Sequence, residues 1–204
     1  MNNMNNIGIS LGWNCHSAKW GVENIVRKRK ENGYKTCPFD IMVTNFPGIC
    51  QCIQDDFRYL CDENHLELIK VDDNESTIYN TKYNFAFNHE SPGHANLYLG
   101  ENWPLGKNHF VVNNYENLKI RYSKRISNFI NYLSNSNNYV TFIVTTWNKT
   151  NNDMQCLIDI LKLKYPHLKY KFILLNDPNG KEYLIRHLRY MRFTETDDEL
   201  KRLL

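Results

Sequence analysis

Glycine and proline are scarce, 9 and 6 in 204 residues, which excludes collagen-like repeats and Pro/Gly-rich linker composition. A charge excess is also lacking. Twenty-five Lys+Arg against 22 Asp+Glu leave +3, too little to supply the field by which a nucleic-acid or polyanion binder gains affinity. No apolar run approaches the roughly 18 residues that span a bilayer. Residues 1–6 are polar and Asn-rich, without the charged and apolar regions of a signal peptide. Neither a membrane nor a nucleic acid is therefore the expected partner. Gly-x-Gly-x-x-Gly and Walker-type phosphate loops are absent, which argues against a nucleotide-binding transferase, and no cofactor is expected.

What is present suits a globular domain. Hydrophobic residues make up 42% and charged residues 23%, and the apolar ones are spread along the chain rather than blocked. The length buries a sizeable core without disulfides or metal, so one domain over 1–204 is expected, with 1–6 flexible. Six cysteines without a secretory feature predict reduced thiols in a cytoplasmic compartment. The Asn-x-Ser/Thr matches at Asn74 and Asn148 are what an Asn-rich chain gives by chance.

Periodicity supplies the fold class. Residues 7–11 read as a strand broken by Gly12-Trp13-Asn14. Cys15, Ala18, Val22, Ile25 and Val26 then form one stripe of a helix whose last turns hold the basic run 27–30, a solvated end capped by Gly33. A second helix is predicted over 46–60, with Pro47 in its first turn. Short strands follow at 66–71, 77–79 and 83–87, and His89 continues the face of Tyr83, Phe85 and Phe87. An irregular loop leads to an amphipathic helix over 115–133. The last third is a βαβ unit: strand 140–144, helix 153–164, strand 172–175. A turn at 176–180 and a terminal helix over 197–204 complete the reading. The expected class is α/β, a sandwich around a mainly parallel or mixed sheet, with the ligand site at the carboxyl ends of strands.

Chemistry concentrates at Ser10-Leu11-Gly12-Trp13-Asn14-Cys15. With Asn14 as N-cap, Cys15 takes the first helical position, where free N–H groups and the positive dipole end favour a thiolate. Those N–H groups, with that of Gly12 or the Asn14 amide, form a candidate oxyanion hole. The other reading of Cys15 is a small core residue on an apolar stripe. A thiolate needs a base, and of seven histidines His89 stands where a strand delivers a side chain to a site rim, whereas His16 points about 100° away from Cys15. No metal is expected. Cys50 and Cys52 lie two apart on a helix and point about 200° apart, so with Cys61 and His65 they make no shared site. His89, His94 and His109 lack a carboxylate framework beyond Glu90.

Ser-Leu-Gly-x-Asn-Cys at 10–15, Cys-Pro-Phe-Asp at 37–40, Phe-x-His at 87–89 and a Lys/Arg-rich helix at 119–125 together resemble the papain-like cysteine peptidases of the DUF1796 family, found in bacteria and large DNA viruses. The resemblance spans roughly residues 7 to 175. It implies Cys15 as nucleophile, His89 as base and Asp40 as polar partner or structural anchor. It also implies an α+β papain-like fold, a protein or acyl substrate, and host cytoplasm if the chain is viral. Ile41 stands where the family usually has Trp, and Glu90 where it has an Asp after the His; Glu90, Asn88 or Asp40 can substitute for that Asp. Two other readings remain open. A strand, a glycine turn and a nucleophile are also how SGNH-like esterases present serine, which fits a thiol acyl-hydrolase or acyltransferase. Trp103, Trp147 and the tyrosines fit a catalytically inactive protein-binding domain.

Overall fold

The computed structural model describes residues 4–12, 14–145 and 151–175. In chain order the elements are β1 (Asn5–Ser10), α1 (His16–Glu23), α2 (Phe46–Gln54), β2 (Leu66–Lys70), β3 (Ser76–Asn80), β4 (Phe85–Ala86), α3 (Leu97–Gly100), α4 (Val112–Ser134), β5 (Asn138–Thr145), α5 (Asn151–Lys164) and β6 (Lys169–Leu175). The expected turn at 176–180, the helix over 197–204, Trp147 and His187 lie outside the described residues.

The βαβ reading matches β5-α5-β6, and β1 joins the same sheet in the order β1-β5-β6, parallel throughout. β5 lies between two strands and is buried from Val140 onward, which is why it reads as a continuous Val/Phe/Ile run rather than an alternating one. Its side chains still divide by parity. Val140, Phe142 and Val144 enter the main core with Leu157, Ile160 and Leu161 of α5, while Ile143 meets α1. β1 starts at Asn5, two residues earlier than expected.

The strands between α2 and α4 do not join that sheet, as a single mixed sheet would require. They form a separate antiparallel one, β2-β3-β4. Their connections, 71–75 and 81–84, are too short for a parallel crossover and permit only hairpins. β4 is two residues long because Asn84 enters it with a positive φ and the chain leaves it at Phe87 into a 3₁₀ turn, Asn88–Glu90. His89 therefore sits on that turn and not on an extended strand face. One apolar cluster joins the two sheets. At its centre Phe39 meets Phe57, Phe85 and Phe129 at centroid distances of 5.9, 6.0 and 5.9 Å, the last two edge to face, the geometry that ring quadrupoles favour.

Helices α1 and α2 are shorter than expected, and for tertiary reasons. α1 ends at Glu23: Ile25 takes φ 60° and is 92% exposed, and the N–H groups of Val26 and Arg27 both donate to Gly21 O at 2.9 Å. Arg27 thereby turns inward and is buried, so the basic run is not the solvated end of a helix; Gly33 instead caps a 3₁₀ turn, Lys30–Asn32. The buried face of α1 is Ser17, Ala18 and Gly21, not the stripe through Cys15, Val22 and Ile25. A Cβ on Gly21 would lie 2.4 Å from Ile143 Cδ1, so α1 approaches the sheet too closely for larger side chains. α2 ends at Gln54 because Asp56 and Phe57 adopt positive φ, sending Phe57 into the core against Phe129 at 5.4 Å. α4 is regular once past Asn113, Asn114 and Tyr115, all at positive φ. It buries Leu118, Tyr122, Arg125, Phe129 and Leu133, a helical stripe that contains a charge.

Candidate active site

The rotation of α1 exposes Cys15. Its backbone is already helical, φ −69° and ψ −7°, and its carbonyl accepts the Lys19 N–H at 3.0 Å. α1 begins at His16 with Cys15 as its N-cap, one position later than expected, and Asn14, just outside the helix, accepts the His16 N–H on its Oδ1 at 2.7 Å. The core-residue reading of Cys15 is overturned by this exposure, and the reason is the small-residue packing of α1. Burial pushes the Cys37, Cys52 and Cys61 thiols up, against thiolate formation. Cys50 is buried too, and Cys156 is exposed in the second turn of α5.

The turn before Cys15 is built from inside. Gly12 is buried, its N–H faces Ser10 Oγ at 3.4 Å, and its carbonyl accepts the Thr44 hydroxyl at 2.7 Å. Ser10 Oγ is 2.6 Å from Ser17 Oγ, and a Cβ on Gly12 would fall 1.8 Å from that Ser17 oxygen. Only glycine fits. Two of the N–H groups in this turn, those of Gly12 and His16, are thus directed at Ser10 and Asn14, which leaves less of the expected oxyanion hole to them.

Val43 and Ala86 exchange backbone hydrogen bonds at 2.9 Å each, and Thr44, the next residue, holds Gly12. The turn carrying Cys15 and the strand leading to His89 therefore flank one two-residue segment. His89 itself is half-buried, its ring 6.1 Å from that of His94. Burial holds its imidazole below the ordinary range, Glu90 and Glu101 oppose this, and His94 and Arg125 add to it. His94 Nδ1 is 2.7 Å from Glu75 Oε1. His109 packs against Phe110 at 4.7 Å, and His167 is exposed. Among the described residues, no group of three or more metal-type side chains converges.

The acidic candidates hold the scaffold. Asp40 ends the 3₁₀ turn Pro38–Asp40, where its Oδ2 accepts the Cys37 N–H at 2.7 Å and meets Arg27 NH2 at 3.1 Å and Tyr34 OH at 3.1 Å. It is fully buried, and burial raises its carboxyl above the usual range against the pull of Arg27, Cys37 and Tyr34. Of the two implied roles, these partners describe the anchor. Glu90, also fully buried, turns to α4: Arg121 Nε at 3.1 Å, Arg125 NH1 at 3.0 Å and Tyr122 OH at 3.2 Å. The sequence offers Arg27 only as part of a solvated basic run, and Arg121 and Arg125 only as part of a Lys/Arg-rich helix, not as partners of buried carboxylates. The available signal was Arg125 standing on the apolar stripe of α4. Trp103 is 8% exposed and Tyr34, Tyr79, Tyr83 and Tyr122 are buried, which removes them from the aromatic face expected of a protein-binding domain.

The structure is that of an α/β protein with an exposed thiol at a strand-to-helix turn of a parallel sheet, and with His89 on a 3₁₀ turn that follows the last strand of a separate antiparallel sheet. The chain belongs to the family described as "Putative papain-like cysteine peptidase (DUF1796)", which matches residues 7–178. That description is of a peptidase-like hydrolase. No curated protein and no solved structure matches the chain. Among the described residues, no helix is long and apolar enough to cross a membrane.

Proposed function

We propose that the protein is a cysteine-dependent hydrolase of protein or other acyl substrates. Cys15 is the nucleophile and His89 the general base. The thiol proton passes to His89 as sulfur bonds to the acyl carbon. The leaving amine or alcohol departs with that proton, and water, deprotonated by His89, cleaves the thioester and restores the thiol. The backbone N–H groups of Asn14 and Cys15 hold the oxyanion, with Gly12 and the Asn14 side chain shaping that turn, and Asp40 steadies the scaffold. The observation that carries this reading is the exposure of Cys15 at the start of α1, in a chain of the DUF1796 family. No metal or cofactor takes part in it, and a cytoplasmic setting, host cytoplasm if viral, suits its free thiols.

A second reading, a thiol acyl-hydrolase or acyltransferase of SGNH-like architecture, is favoured by one observation: the nucleophile turn closes a strand of an all-parallel sheet. An electrophilic thiol probe followed by peptide mapping tests the common core. Cys15 should label faster than Cys156, the other exposed thiol, and the Cys15 adduct should vanish in Cys15→Ala. Equal rates at the two cysteines would sink the assignment. Peptide and small thioester or ester substrates, compared on wild type and Cys15→Ala, separate the two readings.

A further inference from the structure

The Lys/Arg-rich helix α4 contains one side chain that divides itself between two acids near His89. Arg121 Nε stands 3.1 Å from Glu90 Oε1 and its NH2 3.4 Å from Glu101 Oε2, while its guanidinium lies over the Phe110 ring at 5.0 Å. Glu90 is the residue after His89. Glu101 follows α3 and also accepts the Trp103 indole N–H at 3.2 Å. The 3₁₀ turn bearing His89 is thus tied to the segment beyond α3 through one cation, itself about a quarter exposed. Phe87, on the other side of His89, packs edge to face on Tyr122 at 4.9 Å, so α4 grips the turn from both ends.

We propose that Arg121 is a positioning residue for His89: bridging Glu90 and Glu101, it locks the 88–90 turn against the segment beyond α3 and shields the imidazole from both carboxylates. This rests on the reading of His89 as the base. The groups acting on His89 are Glu90 in its own turn, His94 from the next turn, Glu101 from the end of α3 and Arg125 from α4; behind them, Glu75 of the β2–β3 connection pairs with His94, and Arg121 pairs with Glu90 and Glu101. Glu90 and Glu101 favour imidazolium; burial, His94 and Arg125 favour the neutral ring and prevail. Glu101 itself is held below the usual carboxylate range: burial works the other way, but the Trp103 N–H and Arg121 outweigh it. Removing Arg121 strips both acids of a shared countercharge and shifts the ring toward imidazolium, the form that cannot accept a proton.

Arg125 and Tyr122 keep Glu90 seated without Arg121, so Arg121→Ala should fold. The test is a histidine NMR titration of the full chain, with the His89 signal assigned by its loss in His89→Gln. Arg121→Ala should raise the His89 titration by about half a unit or more. Glu101→Gln should lower it, and Arg121→Lys, which keeps the charge but not the two-armed reach, should fall between wild type and Arg121→Ala. A purely structural Arg121 would lower the thermal midpoint and leave the titration alone; an unmoved His89 signal in folded Arg121→Ala overturns the proposal. So does a shift of the same sign in Glu101→Gln and Arg121→Ala. If Arg121→Ala does not fold, Arg121→Lys and Glu101→Gln decide by their opposite signs. The base reading is tested separately, by the pH profile of Cys15 alkylation in wild type and His89→Gln. An unchanged profile removes His89 from the chemistry while leaving the link from Arg121 to His89 intact.

Discussion

Replacing Asp40 by Asn tests whether the Pro-Phe-Asp motif serves the scaffold or the chemistry. The substitution removes a charge at a site where Arg27 and Asp40 side chains are 6% and 0% exposed and 3.1 Å apart. The guanidinium has nowhere to go: it lies 4.0 Å above the Tyr34 ring, and its backbone is held by Gly21 O. Breaking a buried pair from one side leaves an uncompensated charge and costs about 3–5 kcal/mol. For a chain of this size that is a fall in thermal midpoint of about 6–20 °C, taking roughly 2–4 °C per kcal/mol. Arg27→Met in the Asp40→Asn background removes the stranded charge and keeps an oxygen for the Cys37 N–H and Tyr34 hydroxyl. More than half the loss should return, a coupling of about 2 kcal/mol or more in the cycle. Denaturant unfolding of the four proteins measures it. A loss under about 1 kcal/mol for Asp40→Asn, or a double variant no better than the sum of the singles, would refute the reasoning about burial. Cys15 labelling in the same variants separates the roles. An anchor changes midpoints and leaves the labelling pH profile of folded protein in place; a catalytic partner moves the profile.

Other consequences can be checked alongside. His89→Gln removes a group whose folded-state titration is depressed, so the wild type holds that group's contribution above the unfolded value of about 6.5 and loses it as pH falls through the folded value. Urea midpoints at pH 7.5 and 5.5 should therefore move in favour of the Gln variant at the lower pH; a constant gap contradicts a buried neutral imidazole. Gly12→Ala places a methyl 1.8 Å from Ser17 Oγ and should cost about 1–3 kcal/mol, with only part regained in Ser17→Ala because Ser17 Cβ is still 2.8 Å away. Calorimetry on the three variants reads both numbers, and a neutral Gly12→Ala would mean the turn adjusts freely. Gly93, at φ 80° with its Cβ position 2.1 Å from Asn74 O, should tolerate alanine worse than Gly100, which has open space; comparing the two thermal midpoints decides it.

Parts of the site were readable in residues 10–15 because the signals there are local. A strand, a glycine and an Asn close to the helix start act within a few residues, and Asn14 Oδ1 holds the His16 N–H although the N-cap itself falls on Cys15. Cys37-Pro38-Phe39-Asp40 is local in the same way: Pro38 starts a turn, Asp40 closes it on the Cys37 N–H, and Phe39 enters the core. The exposure of Cys15 was not readable. Its stripe looked apolar, but Gly21 against Ile143 decided which face packs, and that is a contact between residues 122 positions apart in sequence. The partners of Glu90 were hidden for the same reason, since an arginine on a helix pattern reads as solvated until a buried carboxylate is brought to it.

The sequence alone determined the elements whose periodicity and caps are short-range: the parallel β5-α5-β6 unit, the stripe of α4, and a thiol at the start of α1. Tertiary structure decided what those elements face. Two short hairpins drew β2-β3-β4 into a separate sheet, small residues let α1 approach β5 and turned Cys15 outward, and buried carboxylates pulled Arg27 and Arg125 inside. The physical reason is common to all three. Backbone periodicity and capping are settled by near neighbours in the chain, whereas burial and charge pairing depend on groups that only the folded chain brings together.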